Sequence, residues 1–118
     1  MGTETQADID LRVLNRAHAK LRLGWREIGQ IIGVDESTMH RWKSGTSRPR
    51  PMAVARIALF EELITLLNRV FAGPDVARKW LTEKRPAGLG GSDTPMDVMR
   101  GGRLDRVVSL LNYLARGG

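Results

Sequence analysis

The sequence predicts an all-α protein, and three observations carry that prediction. Apolar residues recur at helical spacing along almost the whole chain, no stretch alternates polar and apolar long enough to make a strand, and glycine or proline punctuates the intervals. The expected arrangement is an N-terminal helix-turn-helix unit, residues 1–50, joined by a long helix to a small C-terminal helical domain within 51–118.

The first helix is expected from about Asp8 to Leu23, with Leu14, Ala17 and Leu21 on one face and Gly24 as its stop. Trp25 to Ile32 and Asp35 to Ser44 read as two short helices. The breaker-rich segment "GTSRPRP" (45–51) then leads into one long helix, Met52 to Ala72. On it Ile57, Phe60, Leu63, Ile64, Leu67, Val70 and Phe71 form a stripe that Leu59 and Leu66 widen, so the helix needs more than one neighbour. Gly73 and Pro74 end it and open a short helix to about Thr82. After a glycine-rich loop, Thr94 opens a third short helix, and a last helix from Arg103 to Arg116 turns Leu104, Val107, Val108, Leu111 and Leu114 inward.

Composition narrows the function. Nineteen Lys and Arg against 13 Asp and Glu leave a net charge of +6, which favours a polyanionic partner. The excess lies mainly in the first half, where residues 1–58 hold 10 basic and 6 acidic side chains against 9 and 7 in residues 59–118. With no cysteine, disulfides, zinc-thiolate sites and thiol nucleophiles are excluded. The start "MGTETQADID" is polar and acidic where a secretory signal would be basic and then apolar, and Glu61, Glu62 and Asn68 interrupt the apolar runs near Leu59 and Leu66. A cytoplasmic protein without a membrane partner is the expectation.

The segment "WREIGQIIGVDESTMHRWKSG" (25–45) has the spacing of a helix-turn-helix. Ile28, Ile32, Val34, Met39 and Trp42 make the seam between two helices, Gly29 removes a side chain where backbones approach, and Gly33 suits a left-handed turn. Asp35 stands where an N-cap oxygen would bind free amides, for about 1 kcal/mol. With Met39 and Trp42 inward, Ser37, His40, Arg41 and Ser44 fall on the opposite face, which a major groove would meet. Arg41 can fork onto a guanine edge, and Lys43, Arg48 and Arg50 are placed to hold phosphates or to form a solvated basic loop. The charges of Asp35 and Glu36 either read a base or stabilise the helix start. Two half-sites, and hence a dimer, are expected for tight binding to operator DNA. The stretch from about residue 8 to 50 resembles the Xre-type helix-turn-helix of phage-repressor-like regulators.

The loop "GLGGSDTPMDVM" (88–99) invites a phosphate-loop reading, which its residues exclude. No lysine follows the glycines, no strand precedes them, and Asp93 would repel a phosphate. Instead Thr94 suits an N-cap, Pro95 the first helical position and Asp97 the first turn. His18 and His40 have no nucleophile, base and orienter around them, and the carboxylates lack metal-ligand spacing. A non-enzyme without cofactor or metal is expected. Trp25, Trp42 and Trp80 read as core anchors on apolar seams.

The C-terminal sequence "ARKWLTEKRPAGLGGSDTPMDVMRGGRLDRVVSLLNYLARGG" resembles the C-terminal domain of Xre/MbcA/ParS antitoxins. The match is carried by Ala77, Arg78, Trp80, Leu81, Leu89, Gly90, Thr94, Pro95, Met96, Asp97, Val107 and Leu111. It departs in an extra Gly91, in Ser92 and Asp93 before Thr94, and in a short tail. The resemblance implies an antitoxin that partners a cognate RES-domain toxin, an NAD-consuming enzyme. Such an antitoxin blocks the toxin's active site with its C-terminal region, here Tyr113, Arg116, Gly117 and Gly118, and represses the shared promoter through its N-terminal domain. A homodimer and a hetero-oligomer with the toxin are expected, with Leu59 and Leu66 in self-association. The alternative is a stand-alone Xre-type repressor whose C-terminal part only dimerises it.

Overall fold

Seven α-helices organise the computed structural model, which describes residues 4–118; the first three residues of the polar N-terminal stretch lie outside them. They are α1 (Gln6–Lys20), α2 (Trp25–Ile32), α3 (Glu36–Ser44), α4 (Pro51–Val70), α5 (Pro74–Glu83), α6 (Pro95–Arg100) and α7 (Leu104–Ala115), with a 3₁₀ turn at Ala87–Leu89. None of the described residues is in a strand, so the fold is all-α as the periodicity predicts.

Most helix starts follow from local chemistry. Thr5 caps α1 in a reciprocal box with Asp8, so this helix begins two residues before the expected Asp8. Asp35 caps α3, and Thr94 and Asp97 form a second capping box at α6 with Pro95 in the first turn. Gly45 and Gly102 close α3 and α6 in left-handed conformation, with Thr46 and Arg103 reaching back to the carbonyls of Arg41 and Val98.

Helix α4 is the spine. At 20 residues it runs about 30 Å through a molecule whose longest dimension is 44 Å. It packs most extensively on α7 and also on α1, α2 and α5. Ile57, Phe60, Leu63 and Leu67 are sealed between these neighbours. The same cluster continues without a break into Leu14 and Ala17 of α1, Ile28 and Ile32 of α2, Leu81 of α5, Met99 of α6 and Leu111 of α7. Helix α6 packs against α2, so the helices after residue 51 touch the α2–α3 pair directly as well as through α4.

Three expectations change. The first helix ends at Lys20, not at Gly24, because Leu21 and Leu23 are both buried and a continuing helix would point residues two apart in different directions. The left-handed residue falls on Arg22, at φ 55°, while Gly24 is extended and caps α2, its N–H donating to Glu27 Oε1 at 3.1 Å. Leu66 is buried in the chain's own core and Leu59 is half-buried against it, so neither presents a free apolar face to a second copy. Leu114 is 36% exposed rather than inward, because the end of α7 carries it off the shared core.

Candidate functional site

The outward face of α3 collects most of the predicted contact residues. Ser37, His40, Arg41 and Ser44 are all exposed at i, i+3, i+4 and i+7 along one face, while Met39 and Trp42 are buried beneath them. Arg41 Nη2 donates to Thr38 Oγ1 at 3.0 Å, and Ser44 Oγ donates to the Arg41 carbonyl at 3.1 Å, which steadies both side chains. The Asp35 carboxylate accepts from Thr38 N at 2.7 Å and from Ser37 Oγ at 3.0 Å. The bonds from Thr38, aided by Ser37, hold its pKa below the ordinary carboxylate range, and its charge faces the start of α3. Glu36 lies 3.9 Å from His40 Nε2, one turn along.

Lys43 goes elsewhere. Its Nζ stands 3.8 Å over the Trp25 ring, on which His18 also stacks at 4.5 Å between centroids. The His18 Nδ1–H donates to the Leu23 carbonyl at 2.7 Å, which locks that imidazole under the loop between α1 and α2. Trp25 is therefore half-buried where α1, α2 and α3 meet, while Trp42 is a core anchor and Trp80 packs on Phe71 at 5.2 Å.

Arg48 and Arg50 line a cleft of about 470 Å³ between α3 and the start of α4, together with Thr38, Arg41, Ser47, Met52 and Arg56. Arg56 is a residue that sequence reasoning alone does not single out. Its Nη1 donates to the Ile32 carbonyl at 3.2 Å and fills the space that Gly33 leaves empty; a Cβ on Gly33 would collide with that nitrogen. No local spacing reveals this, since the two residues meet only because α4 crosses the end of α2.

The glycine loop is a turn, as its residues predict. Gly90 and Gly91 are left-handed and close the 3₁₀ turn onto the Pro86 and Ala87 carbonyls, and Leu89 pins it to the core. Arg85 Nε donates to the Ser92 carbonyl at 3.1 Å across the loop. The residues that carry the family resemblance are largely internal: Leu81, Leu89, Met96, Val107 and Leu111 are buried, and Arg78 Nη1 donates to the Leu21 and Arg22 carbonyls at 2.6 and 3.1 Å. They build the domain.

The residues expected to contact a toxin lie at the end of α7. Tyr113 is 60% exposed, beside Leu114 and the exposed Arg116, Gly117 and Gly118. The tail is folded as a helix cap, with Gly117 at φ 83°, Gly117 N on the Leu114 carbonyl and Gly118 N on the Tyr113 carbonyl at 3.1 Å. Gly118 lies so close to the Tyr113 ring that a Cβ there would come within 2.5 Å of it. The site is thus a blunt helix end carrying one aromatic ring, one aliphatic side chain and one guanidinium. Asn112 Nδ2 anchors it to Glu62 of α4 at 3.2 Å. Among the described residues no three His, Asp or Glu side chains are grouped to hold a metal ion, and no helix is long and apolar enough to cross a membrane.

Comparison with known proteins bears on this region. Residues 66–117 match the model of the antitoxin Xre/MbcA/ParS C-terminal toxin-binding domain. The fold is similar to a chain in the crystal structure of the M. tuberculosis MbcT–MbcA toxin–antitoxin complex, with a TM-score of 0.66 and 25% identity over 92% of this chain and 95% of that one. Comparison with curated protein sequences finds no match.

Proposed function

We infer, for a chain that belongs to the Xre/MbcA/ParS antitoxins through residues 66–117, that the end of α7 is the surface by which it binds and silences a toxin. The observation that carries this is Tyr113: it is the one aromatic ring of the toxin-binding domain that stands mostly in solvent, at 60% exposure, on a helix whose other face is locked into the core. An exposed aromatic side chain on a rigid element is the kind of group that anchors an interface, because little conformational entropy is lost when it is covered. Leu114 extends the apolar contact, and Arg116 supplies charge at its rim.

The partner in this reading is a RES-domain toxin that consumes NAD, and the α7 end with Arg116, Gly117 and Gly118 obstructs its active-site cleft. Because the tail is already a closed cap, it enters as a compact helix end; an extended strand would first have to give up both capping hydrogen bonds. Silencing then needs no chemistry from this chain. The exposed face of α3, with Ser37, His40, Arg41 and Ser44, reads operator DNA and makes the protein a regulator of its own expression, acting in the cytoplasm. Reading two half-sites requires two copies, joined by a surface other than Leu66.

Co-expression tests the toxin reading. The chain is produced beside a RES-domain protein encoded by a neighbouring gene, and growth rescue and co-purification are measured. Rescue with a stable complex is expected. Unrelieved toxicity, or no complex with soluble and folded protein, overturns it.

A further inference from the structure

We propose that the cleft between α3 and the start of α4 is a phosphate-binding site, built to hold a tetrahedral phosphate among four guanidinium groups. Arg41 comes from α3, Arg48 and Arg50 from the connecting loop and Arg56 from α4, and no carboxylate is among the residues that line the cleft. Among the described residues none of the four forms an ion pair with an acidic side chain. All four side chains are exposed, and the carboxylates of Asp35 and Asp8, which act on Arg41 and Arg48, lie outside the cleft; like charges gathered around one concavity still repel. An anion in the cleft offsets that repulsion.

The forks are partly set in advance. Arg41 uses one nitrogen on Thr38 Oγ1, and Arg56 uses one on the Ile32 carbonyl, so each guanidinium is held in place with its other donors unspent. Donors that are already oriented lose less entropy when a ligand arrives. Ser47 adds a hydroxyl at the rim. The first turn of α4 begins at Pro51 without a side-chain cap, which leaves the amides of Met52 and Ala53, both cleft residues, without an intrahelical acceptor. Donors arriving from three elements suit the divergent oxygens of a phosphate better than the single plane of a carboxylate. A volume of about 470 Å³ leaves room for a phosphate and what it is attached to.

Two sources share this chemistry: a backbone phosphate of duplex DNA lying along α3, which rests on the operator-reading role proposed above, and the phosphate of a small soluble molecule, which does not. Two titrations of the full chain separate them, using inorganic pyrophosphate by calorimetry and a labelled random-sequence duplex by anisotropy across a salt series. Wild type is compared with Arg50→Gln, Arg56→Gln and the double variant, with thermal unfolding as the check on folding.

If the cleft takes a DNA phosphate, the double variant flattens the slope of log affinity against log salt by about 0.9, the contribution of the one phosphate that is no longer neutralised. If it takes a small phosphate, pyrophosphate binds the wild type and the double variant loses at least tenfold in affinity. Unchanged duplex slope together with no pyrophosphate binding overturns the proposal. Should Arg56→Gln unfold the chain by freeing the Ile32 carbonyl, Arg50→Gln alone decides. None of these outcomes touches toxin binding, which is tested separately at α7.

Discussion

Arg78 of α5 reaches across the chain to Leu21 at the end of α1, donating to its carbonyl at 2.6 Å, and the same Nη1 also donates to the Arg22 carbonyl at 3.1 Å. A helix end leaves carbonyls without partners, and here the guanidinium of a distant helix supplies the donor that a glycine cap would otherwise accompany. Arg78→Ala should destabilise the fold by about 1.5–3 kcal/mol, the range for hydrogen bonds from a charged donor. Urea unfolding with an unchanged m-value checks this. Arg22→Gly, which relieves the left-handed φ of 55°, should stabilise by about 1 kcal/mol in the same assay.

Asp10 makes stability depend on pH in an unusual direction. It is buried on α1, its Oδ1 accepts from Gln6 Nε2 at 3.0 Å, and its Oδ2 has no partner. Burial raises its pKa, with the Glu61 charge adding to the effect. Since the folded pKa lies above the unfolded 3.8, the folded state binds the proton more tightly, and Asp10 costs stability above that window. Asp10→Asn should therefore raise stability at pH 7, by about 1 kcal/mol. The gain should vanish as pH falls below 3.8, where the wild-type carboxyl is neutral in both states; thermal melts at both pH values measure it.

Two glycines of the α2–α3 segment should respond differently to alanine. A Cβ on Gly29 would lie 2.6 Å from the Val34 backbone oxygen, which cannot swing aside, whereas one on Gly45 would meet nothing within 4 Å. Gly29→Ala should cost about 3 kcal/mol through overpacking. Gly45→Ala should cost about 1 kcal/mol, through its left-handed φ of 78° alone. Denaturant midpoints of the two variants rank these costs, and equal midpoints would contradict the account.

Tyr113→Ala should leave thermal stability within about 0.5 kcal/mol, because the ring packs on little of the core. The same change should weaken the toxin complex at least tenfold, by about 1.4 kcal/mol or more. Truncation after Tyr113 should abolish growth rescue while helicity is retained. Undiminished rescue would place the blocking surface elsewhere on the chain.

Arg41→Ala should lower operator affinity by about 1–3 kcal/mol. Lys43→Ala should change it by less than about threefold, because that ammonium packs over Trp25 at 3.8 Å. Anisotropy titrations at one salt concentration compare the two, and a larger effect from Lys43 would reverse their assigned roles.

The elements were legible in the sequence because their signals are local. The Asp35 cap, the Thr94 and Asp97 box after the glycine loop, and the Gly33 and Gly45 stops each depend on residues within one turn of one another. The outward face of α3 was legible for the same reason, since helical spacing alone separates Ser37, His40, Arg41 and Ser44 from Met39 and Trp42. Three features were not. Lys43 meets Trp25, Arg56 meets Ile32, and Leu66 finds its core, each through helices that approach only after the chain has folded.

By itself the sequence determined an all-helical chain and the order of its helices, because periodicity, caps and turns act over a few residues. Tertiary structure decided where the first helix stops, which arginines share a cleft, and which residues of α7 remain in solvent. The physical reason is that burial and long-range hydrogen bonds are properties of neighbours. Leu23 is drawn into the core two residues past Leu21, and Arg78 can answer the carbonyls this exposes only because α5 lies beside them.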